Sequence, residues 1–167
     1  MLTLEQLVAL KADILADPVL AAYPMNSDGA FAIAAAYNLK AVPDWWVWRT
    51  SVSQLEIVTS TSVDNTTWSW PEFISRSQGE RDGWREMFAD GGKVSAALPN
   101  VRQGFADIFS GPSGASQRTH LLAMGRRKAT RAEKLFSTGT GSTVSPAVMG
   151  FEGDLPYSDV MQARNLP

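Results

Sequence analysis

One histidine, His120, is the only imidazole this chain offers to acid–base chemistry. A catalytic triad would need it beside a nucleophile and an orienting acid. The chain has many serines and threonines and nothing in its spacing selects one of them, so His120 reads as a structural residue in or next to an apolar helical arc. Two acid pairs have spacing that suits carboxylate chemistry: Asp13 with Asp17 at i,i+4, and Glu80 with Asp82. A Ca²⁺ or Mg²⁺ site needs more converging oxygens than either pair supplies, and both read as solvated helix or turn residues. Zinc is disfavoured because the chain has no cysteine and a single histidine. The glycine-bearing pieces "FSGPSGAS" and "STGTGS" invite a phosphate reading. The first lacks the Gly-Lys-Ser/Thr ending of a phosphate loop, and the second follows an expected helix where a phosphate loop would precede one. No catalytic, cofactor-binding or metal-ligating residue is assigned.

The stretch "RRKATRAEKLFSTGTGS", residues 126–142, holds five cations in nine positions. On a helix, Arg127, Arg131 and Lys134 fall at i, i+4 and i+7 and form a positive ridge, with Glu133 on another face. Three uses remain open: a ridge that is solvated or paired with acids of neighbouring helices, a contact with an acidic patch on another subunit, or nucleic acid. Phosphate binding recruits a clustered basic face. The net charge of −2 weighs against that third use.

At 167 residues the chain has the length of one domain, or of one domain with arms. No apolar run approaches the length of a membrane span. The N-terminus carries acids and no basic region ahead of an apolar block, which argues against a secretory signal. Without cysteine there is no disulfide framework, and a reducing cytoplasm suits folding. Six tryptophans are many for this length. Tryptophan is enriched where one protein covers another, so hidden interfaces are expected.

Hydrophobic spacing and caps place the elements. Thr3 with Gln6 forms a capping box opening a helix over about 3–16, and Pro18 opens a short turn. "AFAIAAAYN" forms a helix capped by Ser27 or Asp28. Pro43 breaks the pattern before Trp45, Trp46 and Trp48, which cannot all share one face. A short helix follows Thr50 or Ser51, and an irregular loop covers about 59–79. One or two helices interrupted near Gly79 lead to Gly91-Gly92, and "NVRQGFADIFSG" is amphipathic. A helix through "RTHLLAMGRRKATRAEKLF" is continuous or bends at Gly125. Four glycines and three prolines after Phe136 make the remainder extended, with a short strand at 147–151 and a last helix near Ser158. The expected fold is mainly α: a helical body over 1–137 and an extended, Gly/Pro/Thr-rich C-terminal arm over 138–167.

The blocks "PMNSDGAFAIAAAYN", "WWVWRTSVSQLEI", "NVRQGFADIFSG" and "KATRAEKLFSTGTGSTVSPAVMGFEGDLPYSDV" resemble a family of small proteins encoded in the virion-structural gene clusters of tailed bacteriophages. The resemblance covers about 1–58 and 80–163 and is weakest over 59–79. It implies no enzyme and no cofactor. It implies a virion component in the neck or tail region, made in the host cytoplasm, and a ring-forming head-to-tail connector or adaptor as its place. The implied partners are copies of itself, portal and tail proteins, with passive contact to packaged DNA and no membrane. A nucleic-acid-binding packaging or regulatory protein, or a minor tail or capsid-associated part, are the alternatives. The interface candidates are Arg127, Arg131, Lys134, Trp45, Trp46, Trp48, Phe151 and Tyr157.

Overall fold

A computed structural model describes residues 1–60 and 63–167. About half of the chain is helical and the strands are short, so the fold is mainly α. In chain order the elements are α1 (Leu4–Ala16), α2 (Pro18–Ala21), α3 (Ser27–Asn38), β1 (Trp46–Trp48), β2 (Val52–Ser53), α4 (Gln54–Thr59), α5 (Trp70–Ile74) and α6 (Gln78–Met87). They continue with β3 (Lys93–Val94), α7 (Pro99–Ile108), α8 (Ala115–Met124), β4 (Arg126–Lys128), α9 (Arg131–Leu135), β5 (Ser137–Thr138), β6 (Val148–Met149) and α10 (Tyr157–Arg164). Residues 61 and 62 of the irregular loop expected at 59–79 lie outside the described residues. The same stretch also holds α5 and the start of α6.

The chain divides into two units, one made of Met1–Val47 with Lys128–Pro167 and the other of Trp48–Arg127. It leaves the first unit within β1 and returns to it within β4.

In the first unit, the Thr3–Gln6 capping box opens α1 as the sequence foretells. Asp17 then ends that helix and caps the next, its Oδ1 accepting from the backbone N–H of Val19 at 3.0 Å and of Leu20 at 3.3 Å. The inner faces of α1 and α3 bury Leu7, Leu10, Ile14, Ala30, Ile33 and Tyr37. What closes over them comes from the end of the chain: α10 packs on both α1 and α3, and Leu155, Val160 and Ala163 are buried in the same cluster. Asn38 pins the approach, its side-chain amide donating to the Leu155 carbonyl at 3.1 Å and its Oδ1 accepting from the Leu155 N–H at 2.7 Å. Residues 138–167, read from composition as an extended arm, are thus largely folded back here. Glycine and proline content reports how little regular structure a segment forms, and it does not report what that segment packs against.

The 137–149 region closes as an antiparallel ribbon, with Ser137 opposite Met149 and Thr138 opposite Val148. Gly141 has φ +63°, and a Cβ there would lie 2.1 Å from the indole of Trp45. Only glycine lets the backbone adopt that conformation while the ring rests on it. The second glycine of "STGTGS" therefore serves tryptophan packing, and the first, Gly139, lies against Ala147.

The second unit is built on rings. Trp68, Phe73, Trp84, Phe88, Phe105 and Phe109 pack with centroids 4.7–6.3 Å apart in tilted and edge-on pairs. Trp84 is fully buried among them. A two-residue antiparallel pair, Val52 opposite Val94 and Ser53 opposite Lys93, ties α4 to the rest. His120 is completely buried: Nε2 lies 3.1 Å from the Ile57 carbonyl, which can only accept, so that nitrogen carries the hydrogen. Its Nδ1 faces the Thr66 hydroxyl at 3.1 Å. The histidine holds α4 and the 63–66 turn to α8.

Two expected outcomes follow from this packing. Leu155→Ala removes a buried side chain that α1 and α3 cannot replace, so it should cost about 2–5 kcal/mol in urea unfolding; truncation after Phe136 should abolish the cooperative unfolding of the first unit. Glu56, whose carboxylate accepts from Arg49 at 2.8 Å and caps α4 through Ser53, is held down from 4.5 to about 2, chiefly by the Arg49 hydrogen bond. A lowered folded-state value means its stabilisation is complete above about 4.5 and is lost as pH falls through about 2. The stability gap between the wild type and Glu56→Gln should therefore shrink over that interval.

Candidate functional site

The helix expected to run through residue 125 stops there. Gly125 caps α8, and a Cβ on it would stand 2.9 Å from the Ala96 Cβ and 3.2 Å from the Leu121 carbonyl oxygen, too close for any other residue without movement. The backbone then runs extended, with the Arg49 N–H bonded to Gly125 O at 2.8 Å and the Ala129 N–H to Trp45 O at 2.8 Å. Helix resumes only after Thr130, which forms a capping box with Glu133. The single ridge of Arg127, Arg131 and Lys134 is therefore not formed: Arg127 lies on β4, and Arg131 and Lys134 on α9. The Thr130-x-x-Glu133 box was the sequence signal for this break. The continuity of the apolar arc obscured it.

Arg131 is clamped. Its Nη1 donates to Asp17 Oδ2 at 2.9 Å and its Nη2 to Asp13 Oδ2 at 3.0 Å. Its guanidinium sits 4.7 Å from the ring centroid of Tyr37, whose hydroxyl donates to the same Asp13 oxygen at 2.5 Å. Partial burial works against the Arg131 charge, but the hydrogen bonds to Asp17 and then Asp13 outweigh it and raise its pKa. Burial, reinforced by the hydrogen bond to Asp13, pushes the Tyr37 phenol well up. The Arg131 hydrogen bond holds the Asp17 carboxyl below its ordinary value of 3.8. The acid pair at i,i+4, Asp13 on α1 and Asp17 at its C-cap, read from sequence as solvated, is the counter-charge for this arginine.

Lys134 is placed differently. Its ammonium lies 5.2 Å from the Trp45 ring centroid, and the Trp45 indole N–H donates to Ser137 Oγ at 2.9 Å. Arg131, Lys134 and Trp45 line one cleft of about 750 Å³ in the first unit, together with Asp13, Ala36, Leu39, Lys40, Val42 and Leu135. Three of the eight interface candidates are thus brought together.

The other five are dispersed. Trp46 is half-buried, with the Lys128 ammonium 5.9 Å from its ring centroid. Trp48 is buried in the second unit, where the Arg102 guanidinium lies 4.6 Å from its ring centroid. Phe151 packs edge-on against Phe136 at 5.7 Å, on the rim of the first unit's core. Tyr157 is exposed and stacks on the equally exposed Phe31, with centroids 3.9 Å apart. Arg127 is half-buried on β4.

Among the described residues, no group of three or more histidines, cysteines and acids is placed to hold a metal ion, and no helix is long and apolar enough to cross a membrane. Compared with protein families, with curated proteins and with solved structures, the chain matches none.

Replacing Arg131 tests the clamp. Arg131→Ala should lower the urea midpoint, and Arg131→Lys should recover only part of the loss, because a single ammonium cannot reproduce a planar fork between two carboxylates. Asp17 is depressed in the folded state, so its contribution is complete above 3.8 and lost at lower pH. The gap between wild type and Arg131→Ala should accordingly narrow below that value.

Proposed function

We propose that the protein is a structural component of a tailed-phage particle whose chemistry is adhesion, with the head-to-tail junction as its place and copies of itself, portal or tail proteins as its neighbours. The observation that carries this reading is the outer face of α1. Leu4, Val8 and Leu15 are 67, 55 and 64 % exposed. At 100° per residue they fall within about 40° of one another. Val19 at the start of α2 is 68 % exposed as well, and the stacked Phe31–Tyr157 pair adds exposed aromatic surface to the same unit. Exposed apolar side chains gathered on one helix face, with Lys11 the one charged residue among them, mark a surface that another protein covers.

The resemblance of the "KATRAEKLFSTGTGS" block to phage virion proteins supports the particle as the setting. A ring built from one repeated contact needs two different complementary surfaces on each copy. In this reading the α1 stripe and the cleft beneath Trp45 supply two distinct surfaces, on different parts of the same unit, for contact with neighbours.

Pairing Val8→Glu with Leu15→Glu tests the reading. Both side chains are already exposed, so each change should alter folding stability by no more than about 0.5 kcal/mol. Incorporation into particles, followed by immunoblot of purified virions, should be lost. A chain absent from mature wild-type particles would overturn the proposal.

A further inference from the structure

The cleft of the first unit has a chemistry of its own, and it stands without reference to any particle. Arg131 is already held by Asp13 and Asp17, two carboxylates on one guanidinium, so the clamp adds no positive charge to the cleft. Lys128, just outside the cleft, pairs with Asp44 at 2.7 Å. Lys40 and Lys134 differ from both. The Lys40 ammonium donates to the Lys128 carbonyl at 3.2 Å, and that of Lys134 faces the indole of Trp45. Among the described residues neither has a carboxylate within ion-pair distance. Two cations therefore border the cleft without a counter-charge. Between them the walls are apolar: Leu39 is 67 % and Val42 90 % exposed, beside Ala36, Leu135 and the half-buried face of Trp45.

The polar groups inside the cleft bear on what can bind there. A small-molecule site fixes its ligand with a few directed donors and acceptors. Here they are used within the chain: the Trp45 N–H is given to Ser137, the Ser137 hydroxyl donates to the Lys134 carbonyl at 2.9 Å, and the Arg131 fork is held by two carboxylates. What remains is two positive charges and an apolar floor, with the second carboxylate of the Arg131 clamp offsetting part of that charge at the Asp13 end. That combination reads an alternation of acid and aliphatic side chains, and charge complementarity of this kind selects a partner by sign. We infer that this cleft docks a short acidic segment of a partner protein, with its carboxylates on Lys40 and Lys134 and an aliphatic side chain against Leu39, Val42 and Trp45.

The test is fluorescence anisotropy on the full-length protein with three end-capped, dye-labelled peptides in which leucine alternates with glutamate, glutamine or lysine. The glutamate peptide should bind about tenfold or more tightly than the glutamine one and lose affinity as salt is added. Lys40→Glu and Lys134→Glu should each weaken it about tenfold. Val42→Asp, at a side chain that takes no part in the core, should weaken it too, and circular dichroism of each variant reports whether the fold is kept. Equal affinity for all three peptides, tighter binding of the lysine peptide, or unchanged affinity in both lysine reversals would overturn the inference. So would a free aryl carboxylate that binds at the cleft when no peptide does.

Discussion

Residues 1–47 cannot bury α1 and α3 by themselves, and the first unit depends on that constraint. The inward stripe of α1, with Leu7, Leu10 and Ile14, and that of α3, with Ile33 and Tyr37, need a third surface, which arrives only when the chain has completed Trp48–Arg127 and come back. Leu155, Val160 and Ala163 supply it. The contacts that close the unit therefore span well over a hundred residues of sequence. Their loop-closure entropy is met by burying aliphatic surface, the main favourable term available to a cysteine-free chain.

That return also decides the fate of the basic cluster. As the chain re-enters, Ala129 bonds to Trp45 and the Arg131 N–H to the Leu39 carbonyl, which brings α9 beside the end of α3. Arg131 then meets Asp13 of α1, Asp17 at that helix's C-cap and the ring of Tyr37, and its charge serves the fold. Lys134, one turn on, meets an indole, and Lys128 meets Asp44. Cations that look equivalent along the chain are separated into structural ones and one left facing an open cleft. The difference lies in which acids stand within reach, since a partly buried ion pair is stabilising only when its geometry lets hydrogen bonds offset desolvation.

Local signals were legible wherever a short-range interaction decides the outcome. The Thr3 capping box, Pro18 at the start of α2, the alanine-rich α3 and the amphipathic α7 all stand where spacing puts them. Cap positions slipped by a few residues, to Asn26 in place of Ser27 or Asp28 and to Ser53 in place of Thr50 or Ser51. The interruption expected near Gly79 falls at residues 75–77, where Ser77 caps α6. The tryptophans were harder to place. Composition flags them as interface residues, yet Trp48, Trp68 and Trp84 belong to the inside of the second unit, because a ring-lined core is another way to keep indole away from water.

The sequence by itself determined the helical class, most helix starts and the absence of thiol chemistry, since capping, periodicity and composition act over a few residues. Only the tertiary structure decided that the glycine-rich tail folds back on α1 and α3, that the basic stretch is broken into strand and helix, and that Asp13 and Asp17 are partners of Arg131. Each of those outcomes rests on groups far apart in the chain, whose meeting depends on burial and ion-pair geometry that no local pattern encodes.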